Sequence, residues 1–137
     1  MTYGQMLGMT VALHNEAILG YTENDESIAV MELSKRNADS ELFQKRFIYV
    51  FSLAMRIVYP LYLKYCEAKS ITPFALSDEI PSTEDDCEFD DRFTVALATV
   101  SCYLLFGNSD HYRLFEEEMT KIRHEIPGQV TNSVYGY

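Results

Sequence analysis

Residues 90–126 read DDRFTVALATVSCYLLFGNSDHYRLFEEEMTKIRHEI, and this stretch predicts two helices joined by a very short turn. The first helix is apolar almost all the way round, a pattern typical of a helix that is buried on several sides. Its main apolar face is expected to consist of Phe93, Ala96, Leu97, Val100 and Leu104, and much of the remainder is covered by Val95, Tyr103, Leu105 and Phe106.

The second helix of the pair is amphipathic. Its apolar residues recur at steps of three and four, which predicts one buried stripe: Tyr112, Phe115, Met119, Ile122 and Ile126. Gly107 ends the first helix and Pro127 ends the second. Acidic residues come early in the second helix and basic residues late, which complements the helix dipole. The stretch therefore predicts a C-terminal helical hairpin.

Upstream of the hairpin, another apolar stripe predicts a long helix that begins at Asp39 or Ser40, either of which can cap it. The stripe consists of Phe43, Phe47, Val50, Phe51, Ala54 and Val58. Pro60 cannot donate a backbone hydrogen bond and disfavours helical geometry at Tyr59, so the regular helix is expected to end there. Residues 61–71 fit either a strand or a kinked continuation of the helix. Continuation is favoured because no second strand is evident to pair with.

The N-terminus predicts a further helix. Thr2 and Gln5 have the spacing of a capping box, in which each side chain satisfies an amide of the first turn. Its apolar face includes Tyr3, Met6 and Leu7, which could pack either on the chain's own core or on another subunit. The uncharged tail, residues 128–137, carries Val130, Val134, Tyr135 and Tyr137 and is interpreted as a strap docked on a neighbour.

Two connections complete the prediction. Residues 20–39 are polar, with one or two helical turns near 28–36, and residues 72–88 form an extended connection that Phe74, Leu76 and Ile80 pin to the core. The fold class is therefore all-α: a small helical bundle with a long central helix, a C-terminal helical hairpin, and extended connecting and tail segments. We expect one helical domain, residues 1–127, followed by an extended tail, residues 128–137.

Composition restricts the function. The chain has 137 residues and a net charge of −10, which disfavours binding to nucleic acid phosphates and to anionic membrane surfaces. Cys66, Cys87 and Cys102 form neither a disulfide framework nor a zinc pattern. The longest uncharged run, residues 93–109, is short for a bilayer, and no signal peptide is recognised. We expect a soluble protein of a reducing compartment that has no membrane partner.

No motif predicts catalysis. Six carboxylates precede the hairpin: Glu84, Asp85, Asp86, Glu88, Asp90 and Asp91. They lack the order of an EF-hand loop, so a solvated acidic surface is favoured over a cation site. His14, His111 and His124 do not stand at metal-ligand spacing. We therefore expect no catalytic residue, no cofactor and no metal.

Three stretches resemble one family. They are MTYGQMLGMTVALHNE, ITPFALSDEIPSTEDD and, above all, FDDRFTVALATVSCYLLFGNSDHYRLFEEEMTKI. They are similar, respectively, to the short capped N-terminal helix, the acidic proline-punctuated lead-in and the final helical hairpin of the head–tail connector (adaptor, or head-completion) proteins of tailed bacteriophages. Some of those proteins carry a small sheet before the hairpin, and here only residues 61–71 could supply it.

The resemblance implies a homo-oligomeric ring of about twelve copies, closed by heterologous contacts between neighbours. The ring would lie in the virion neck between the portal protein and the tail or neck proteins, after assembly in the host cytoplasm. It would extend the DNA channel, and DNA would pass without being bound specifically. The six carboxylates would then repel DNA or face the lumen, and the N-terminal helix and the tail would contact a subunit or the portal. The alternative is a small acidic phage or bacterial protein that inhibits a host protein, with the acidic run mimicking nucleic acid. A third, weaker alternative is a helical enzyme with a carboxylate site.

Overall fold

The computed structural model describes residues 1–21, 41–79 and 81–127, and for residues 16–21 it describes the backbone only. In this part of the chain the fold is all-α, as predicted, with four helices: α1 Tyr3–Tyr21, α2 Glu41–Lys69, α3 Thr94–Phe106 and α4 Ser109–His124. A 3₁₀ turn, Asp91–Phe93, leads directly into α3. The helix caps proposed at residues 39 and 40, the turns near 28–36, Ile80 and the tail lie outside the described residues.

Helix α3 is the centre of the packing, because it lies against α1, α2 and α4. Every residue from 96 to 102 is buried, including the small side chains of Ala96, Ala98 and Ser101, which allow the other helices to approach closely. The prediction of a helix buried on several sides is confirmed. Two details differ: Val95 is 49% exposed, and Leu104 is only half-buried at the end of the helix.

The turn between α3 and α4 forms where the sequence places it. Gly107 adopts the left-handed conformation with φ 76°, and its N–H donates to the Tyr103 carbonyl at 2.8 Å. The Asn108 side chain then accepts from the Asp110 N–H at 2.9 Å and caps α4. Two residues thus end one helix and begin the next, which fixes the hairpin.

The buried stripe of α4 differs from the prediction at its start. His111 is 3% exposed and occupies the inward position, whereas Tyr112 is 41% exposed. The stripe runs through His111, Phe115, Met119 and Ile122, at steps of four, four and three. The Tyr112 ring instead packs against Tyr103 at the rim, with centroids 5.0 Å apart. Tyr112 was expected to face the core because tyrosine is more apolar than histidine. Only one of the adjacent residues His111 and Tyr112 can face inward, and His111 does so.

Helix α2 continues through Pro60, so the predicted end near Tyr59 is wrong, whereas the favoured continuation over residues 61–69 is confirmed. Pro60 costs about 3 kcal/mol inside a helix. Leu61, Tyr62 and Tyr65 are all buried beyond it, and each such side chain contributes about 1.5–3 kcal/mol. Their combined burial outweighs the proline. No strand forms in this region or elsewhere in the described residues apart from one bridge between Thr2 and Asp86.

An aromatic cluster anchors this second half of α2. The Tyr62 ring lies 5.3 Å from Phe74, 4.8 Å from Phe89 and 5.6 Å from Phe93. The Tyr59 hydroxyl donates to the Phe74 carbonyl at 2.7 Å. Phe74 and Leu76 are both partly buried against the core, as predicted for the extended connection. The cluster therefore ties the connection and the entry to the hairpin onto α2.

By length and composition, α2 is also the one helix in the described residues that is apolar enough to cross a membrane, and 44% of its most apolar window is buried inside the protein. Phe47, Phe51, Ala54 and Val58 of the predicted stripe are 0% exposed. Burial in the protein core therefore accounts for much of this apolar character.

Candidate functional site

The acidic loop, residues 82–91, caps the N-terminus of α1. The Tyr3 N–H donates to the Asp85 carbonyl at 3.0 Å, and the Gly4 N–H donates to the Thr83 carbonyl at 2.8 Å. The Cys87 N–H donates in turn to the Met1 carbonyl at 2.8 Å. The first amides of a helix have no partner within the helix, and the bonds from Tyr3 and Gly4 satisfy two of them. The backbone of the loop is thereby fixed.

The predicted capping box contributes to the same junction and is confirmed. The Thr2 N–H donates to Gln5 Oε1 at 2.8 Å, and the Gln5 N–H donates to Thr2 Oγ1 at 3.1 Å. Gly4 lies between Thr2 and Gln5, at the point where α1 and the acidic loop approach each other most closely. A Cβ at Gly4 would lie 3.0 Å from the Thr83 carbonyl oxygen, so glycine permits the contact.

The six predicted carboxylates lie together on this fixed loop. Five are exposed, and Asp90 is half-buried. The Asp85 carboxylate accepts from the Ser82 N–H at 2.8 Å, and that of Asp90 accepts from the Arg92 N–H at 2.9 Å. Within the described residues, Glu84, Asp86, Glu88 and Asp91 form no ion pair. The loop therefore presents negative charge to its surroundings from a well-ordered backbone.

The predicted contact residues of α1 need correction. Tyr3, Met6 and Leu7 are 7%, 1% and 4% exposed because they pack on the chain's own core. The Tyr3 ring lies edge-on to Phe51 at 5.4 Å, and its hydroxyl donates to the Met55 sulfur at 3.7 Å. Side chains already covered in this way present no surface to a neighbour. The other four predicted contacts, Val130, Val134, Tyr135 and Tyr137, lie outside the described residues.

A different apolar surface is exposed on α2, and sequence analysis missed it. We call it the α2 stripe; its residues are Leu42, Tyr49, Leu53 and Ile57, which are 80%, 65%, 50% and 41% exposed. They are spaced by seven, four and four residues and so share one helix face. Together they form an exposed apolar row on the surface of the protein. The available signal was that α2 carries apolar residues on the side opposite its core stripe.

The flanks of the α2 stripe are basic. Helix α2 contains five of the eleven basic residues of the chain and only two acidic ones. Lys45 lies 3.4 Å from Glu41, and Arg56 lies 3.4 Å from Asp78, but all four side chains are more than half exposed. Such pairs contribute little to stability. This surface is thus flanked by positive charge in a strongly acidic protein.

Arg92 closes the hairpin at its open end, and its partners were not predicted. Its guanidinium binds both Glu118 and Glu125 of the last helical segment, with Nε 2.8 and 3.0 Å from the two Glu125 carboxylate oxygens. These hydrogen bonds raise the pKa of Arg92 and lower that of Glu125. Arg92 follows Asp90 and Asp91, so the clamp also fixes the end of the acidic loop.

Two histidines lie where α1, α3 and α4 meet: His111 is buried and His14 is half-buried. The His14 ring stacks on Phe106 with centroids 3.8 Å apart. Among the described residues, neither ring nitrogen of His111 nor Nδ1 of His14 has a hydrogen-bond partner. Burial lowers the pKa of both rings, and their mutual repulsion lowers that of His14 further. Both rings therefore favour the neutral form, and His111 belongs to the buried interior.

The cysteines and carboxylates offer little chemistry. Burial raises the pKa of Cys102 to about 12 and also raises that of Cys87, whereas a nucleophilic thiolate requires a lowered pKa. No group of three histidine, cysteine or carboxylate side chains that could hold a metal ion is present in the described part of the chain. The features that remain are two exposed surfaces, the acidic loop and the α2 stripe.

Comparison of the chain with models of protein families, with curated proteins and with solved structures found no match.

Proposed function

We propose that this protein is a structural component of a tailed-phage virion, one copy in a ring between portal and tail that extends the DNA channel. In this role it acts by contact and not by catalysis. The proposal starts from the resemblance of the N-terminal helix, the acidic lead-in and the hairpin to connector proteins. It also locates the protein in the virion neck, after assembly in the host cytoplasm.

The observation that carries the proposal is the acidic loop. Its backbone is held by the first turn of α1, and four of its carboxylates have no ion-pair partner among the described residues. A rigid wall of negative charge repels the phosphates of passing DNA, whereas basic side chains would bind them. Repeated around a ring, the loop would form a lumen along which DNA slides without being bound.

The test of the ring is assembly with the portal. Purified protein mixed with its portal protein should form a complex with several copies per portal, measured by mass photometry and visible by electron microscopy as an added ring. Particles that lack the protein should fail to join tails. A protein that never associates with the portal, and whose absence leaves tail joining normal, would refute the connector function.

The lumen assignment has a separate test with a matched control. Replacement of Glu84, Asp86 and Glu88 by glutamine should leave the ring intact, whereas replacement by lysine should leave the ring intact but slow DNA passage. Genome release, followed with a DNA-binding dye, should therefore fall in the order wild type, glutamine variant, lysine variant. Equal release from all three would show that the loop does not face the DNA.

A second candidate function uses the same observation. An ordered acidic loop without internal ion pairs could also mimic nucleic acid and bind a basic site on a host protein, which it would inhibit. Reversal of the charges of Asp85, Asp86 and Glu88 separates the two functions. Loss of binding to a basic host partner favours the mimic, and normal assembly with the portal favours the connector.

A further inference from the structure

The two halves of α1 are held on the fold by different means. The acidic loop binds the backbone of the first turn, and four apolar side chains, each at most 7% exposed, hold the first half: Tyr3, Met6, Leu7 and Val11. Beyond Val11, the inward side chains that the structure describes are Leu13, His14 and Asn15, of which two are polar. A short helical segment is stable in water only when packing supports it. The second half of α1 therefore depends on how well these polar groups fit.

The polar groups at this contact have buried atoms without hydrogen bonds. In the described part of the chain, neither Asn15 Oδ1 nor His14 Nδ1 has a partner. The same holds for both ring nitrogens of His111, which is 3% exposed. The His14 ring stacks on Phe106 of α3, with the two planes 8° apart. Because buried polar atoms without partners weaken the contact in which they lie, the second half of α1 is held less firmly than the first.

The two histidines also act on each other. His14 comes from α1 and His111 from α4, and a positive charge on His111 lowers the pKa of His14. Asp110, the residue before His111, favours the charged form of His111, but burial has the larger effect and lowers the pKa of that ring. The packed contact therefore suits two neutral rings, whereas two protonated rings would repel each other.

Other titratable groups on the helix ends that meet here do little to relieve this repulsion. They are Cys102 and Tyr103 of α3, Glu41 and Lys45 of α2, Tyr112 and Arg113 of α4, and Glu16 and Tyr21 of α1, the last two with side chains outside the described residues. Helix α3 has no charged side chain, and burial raises the pKa of Cys102 to about 12. Glu41 pairs with Lys45, and Arg113 pairs with Glu117. Among the described carboxylates, Asp110 is the one that raises the pKa of either ring.

We propose that His14 and His111 form an acid-operated latch between α1 and the hairpin. While both rings are neutral, the second half of α1 stays packed on α3. When both are protonated, their like charges separate this half from the hairpin, and the first turn stays bound to the acidic loop. The proposal concerns a single chain and does not depend on the ring proposed above.

The direction of the pH effect follows from linkage. An exposed imidazole binds a proton more readily than either packed ring, so acid favours the open form. The latch is therefore closed above the ordinary histidine pKa of 6.5 and opens as the pH falls below it. For each ring that takes up a proton, the ratio of open to closed forms rises by up to about tenfold per pH unit.

Hydrogen exchange of the full chain tests the latch, once the rates are corrected for the intrinsic pH dependence of exchange. From about pH 7.5 to about pH 5.5, the amides of residues 13–15 should lose protection by at least about tenfold. The Gly4 amide, which is bonded to the loop, and the amides of Phe115 and Met119 in the hairpin should keep theirs. Equal loss in the hairpin would show that the whole protein unfolds, and unchanged protection at residues 13–15 would show that no latch exists. Either result would overturn the proposal.

Histidine variants identify the groups that take up the protons. His14→Phe keeps an aromatic ring on Phe106, and His111→Leu keeps an apolar side chain in the interior, but neither can be protonated. Each single variant should reduce the protons taken up on opening from two to one, and the double variant should keep residues 13–15 protected in acid. His124→Leu is the matched control, because this histidine is exposed near the end of α4, and it should open as wild type does. Opening that persists in the double variant, or that His124→Leu abolishes, would refute the latch.

Discussion

The junction between α1 and the acidic loop predicts opposite effects for two alanine substitutions in the same helix. Gly4 and Gly8 both lie in α1, and alanine at an unconstrained helical position gains about 0.5–1 kcal/mol over glycine. Nothing lies within 4 Å of a Cβ built at Gly8. Gly8→Ala should therefore stabilise the protein by about that amount.

At Gly4 the same change meets the backbone of the loop. The new Cβ would lie 3.0 Å from the Thr83 carbonyl oxygen and 3.6 Å from the Thr83 Cβ, and that oxygen accepts the Gly4 N–H at 2.8 Å. Relief of the contact must lengthen this hydrogen bond, worth about 1 kcal/mol, and overpacking adds about 1–3 kcal/mol. The sum exceeds the gain in propensity. Gly4→Ala should therefore destabilise the protein by about 1–3 kcal/mol.

Urea denaturation followed by circular dichroism measures both variants against wild type. The midpoint should rise for Gly8→Ala and fall for Gly4→Ala with an unchanged m-value. In thermal melts the two variants should differ by about 5–10 °C. Hydrogen exchange provides a local check, because the amide of residue 4 should exchange faster only in the Gly4 variant. If Gly4→Ala is as stable as Gly8→Ala, the loop does not hold α1 in the way described.

Three further predictions concern other parts of the fold. Ser70 ends α2 with φ 57°, a conformation that costs a non-glycine residue energy, so Ser70→Gly should raise the free energy of unfolding in urea by about 0.5–1 kcal/mol. Arg92→Leu leaves Glu118, whose side chain is only 12% exposed, without its cation. The free energy of unfolding in urea should fall by about 1–3 kcal/mol. A smaller fall for Arg92→Leu than for Arg113→Leu would contradict this prediction. Because burial holds the pKa of His14 and His111 below the ordinary 6.5, protons bind first to the unfolded chain, so stability should be full above pH 6.5 and fall as the pH drops below it. His111→Leu should flatten this slope, and an unchanged slope would show that the ring is not held neutral.

The features that sequence analysis predicted correctly depend on nearby residues. The capping box needs only Thr2 and Gln5, and the turn of the hairpin needs only Gly107 and Asn108 and their immediate neighbours. The hydrogen-bond donors and acceptors of each feature lie within three or four positions of one another. The spacing of the residues alone therefore predicts the hydrogen bonds. The burial of α3 followed in the same way from its composition.

The features that it missed depend on distant partners. Arg92 binds carboxylates 26 and 33 residues further along the chain, and nothing in the local pattern around Arg92 indicates them. Pro60 stays helical because aromatic rings from the connection and the hairpin entry hold the following turn. The spacing of residues in α1 left open whether Tyr3 packs on the chain's own core or on a neighbour, and α2 of the same chain covers it. In each case tertiary packing overrides a sound local preference.

The hydrogen bonds between the first turn of α1 and the acidic loop also constrain the order in which the protein folds. Gly4 and Thr83 are about 80 residues apart along the chain, so the chain must close a long loop before these two residues can pair. While the protein is being synthesised, α1 leaves the ribosome well before the carbonyl groups that cap it. The helix is therefore made long before it is secured, and a chaperone or protease would meet it with its first amides uncapped until the acidic loop has been made.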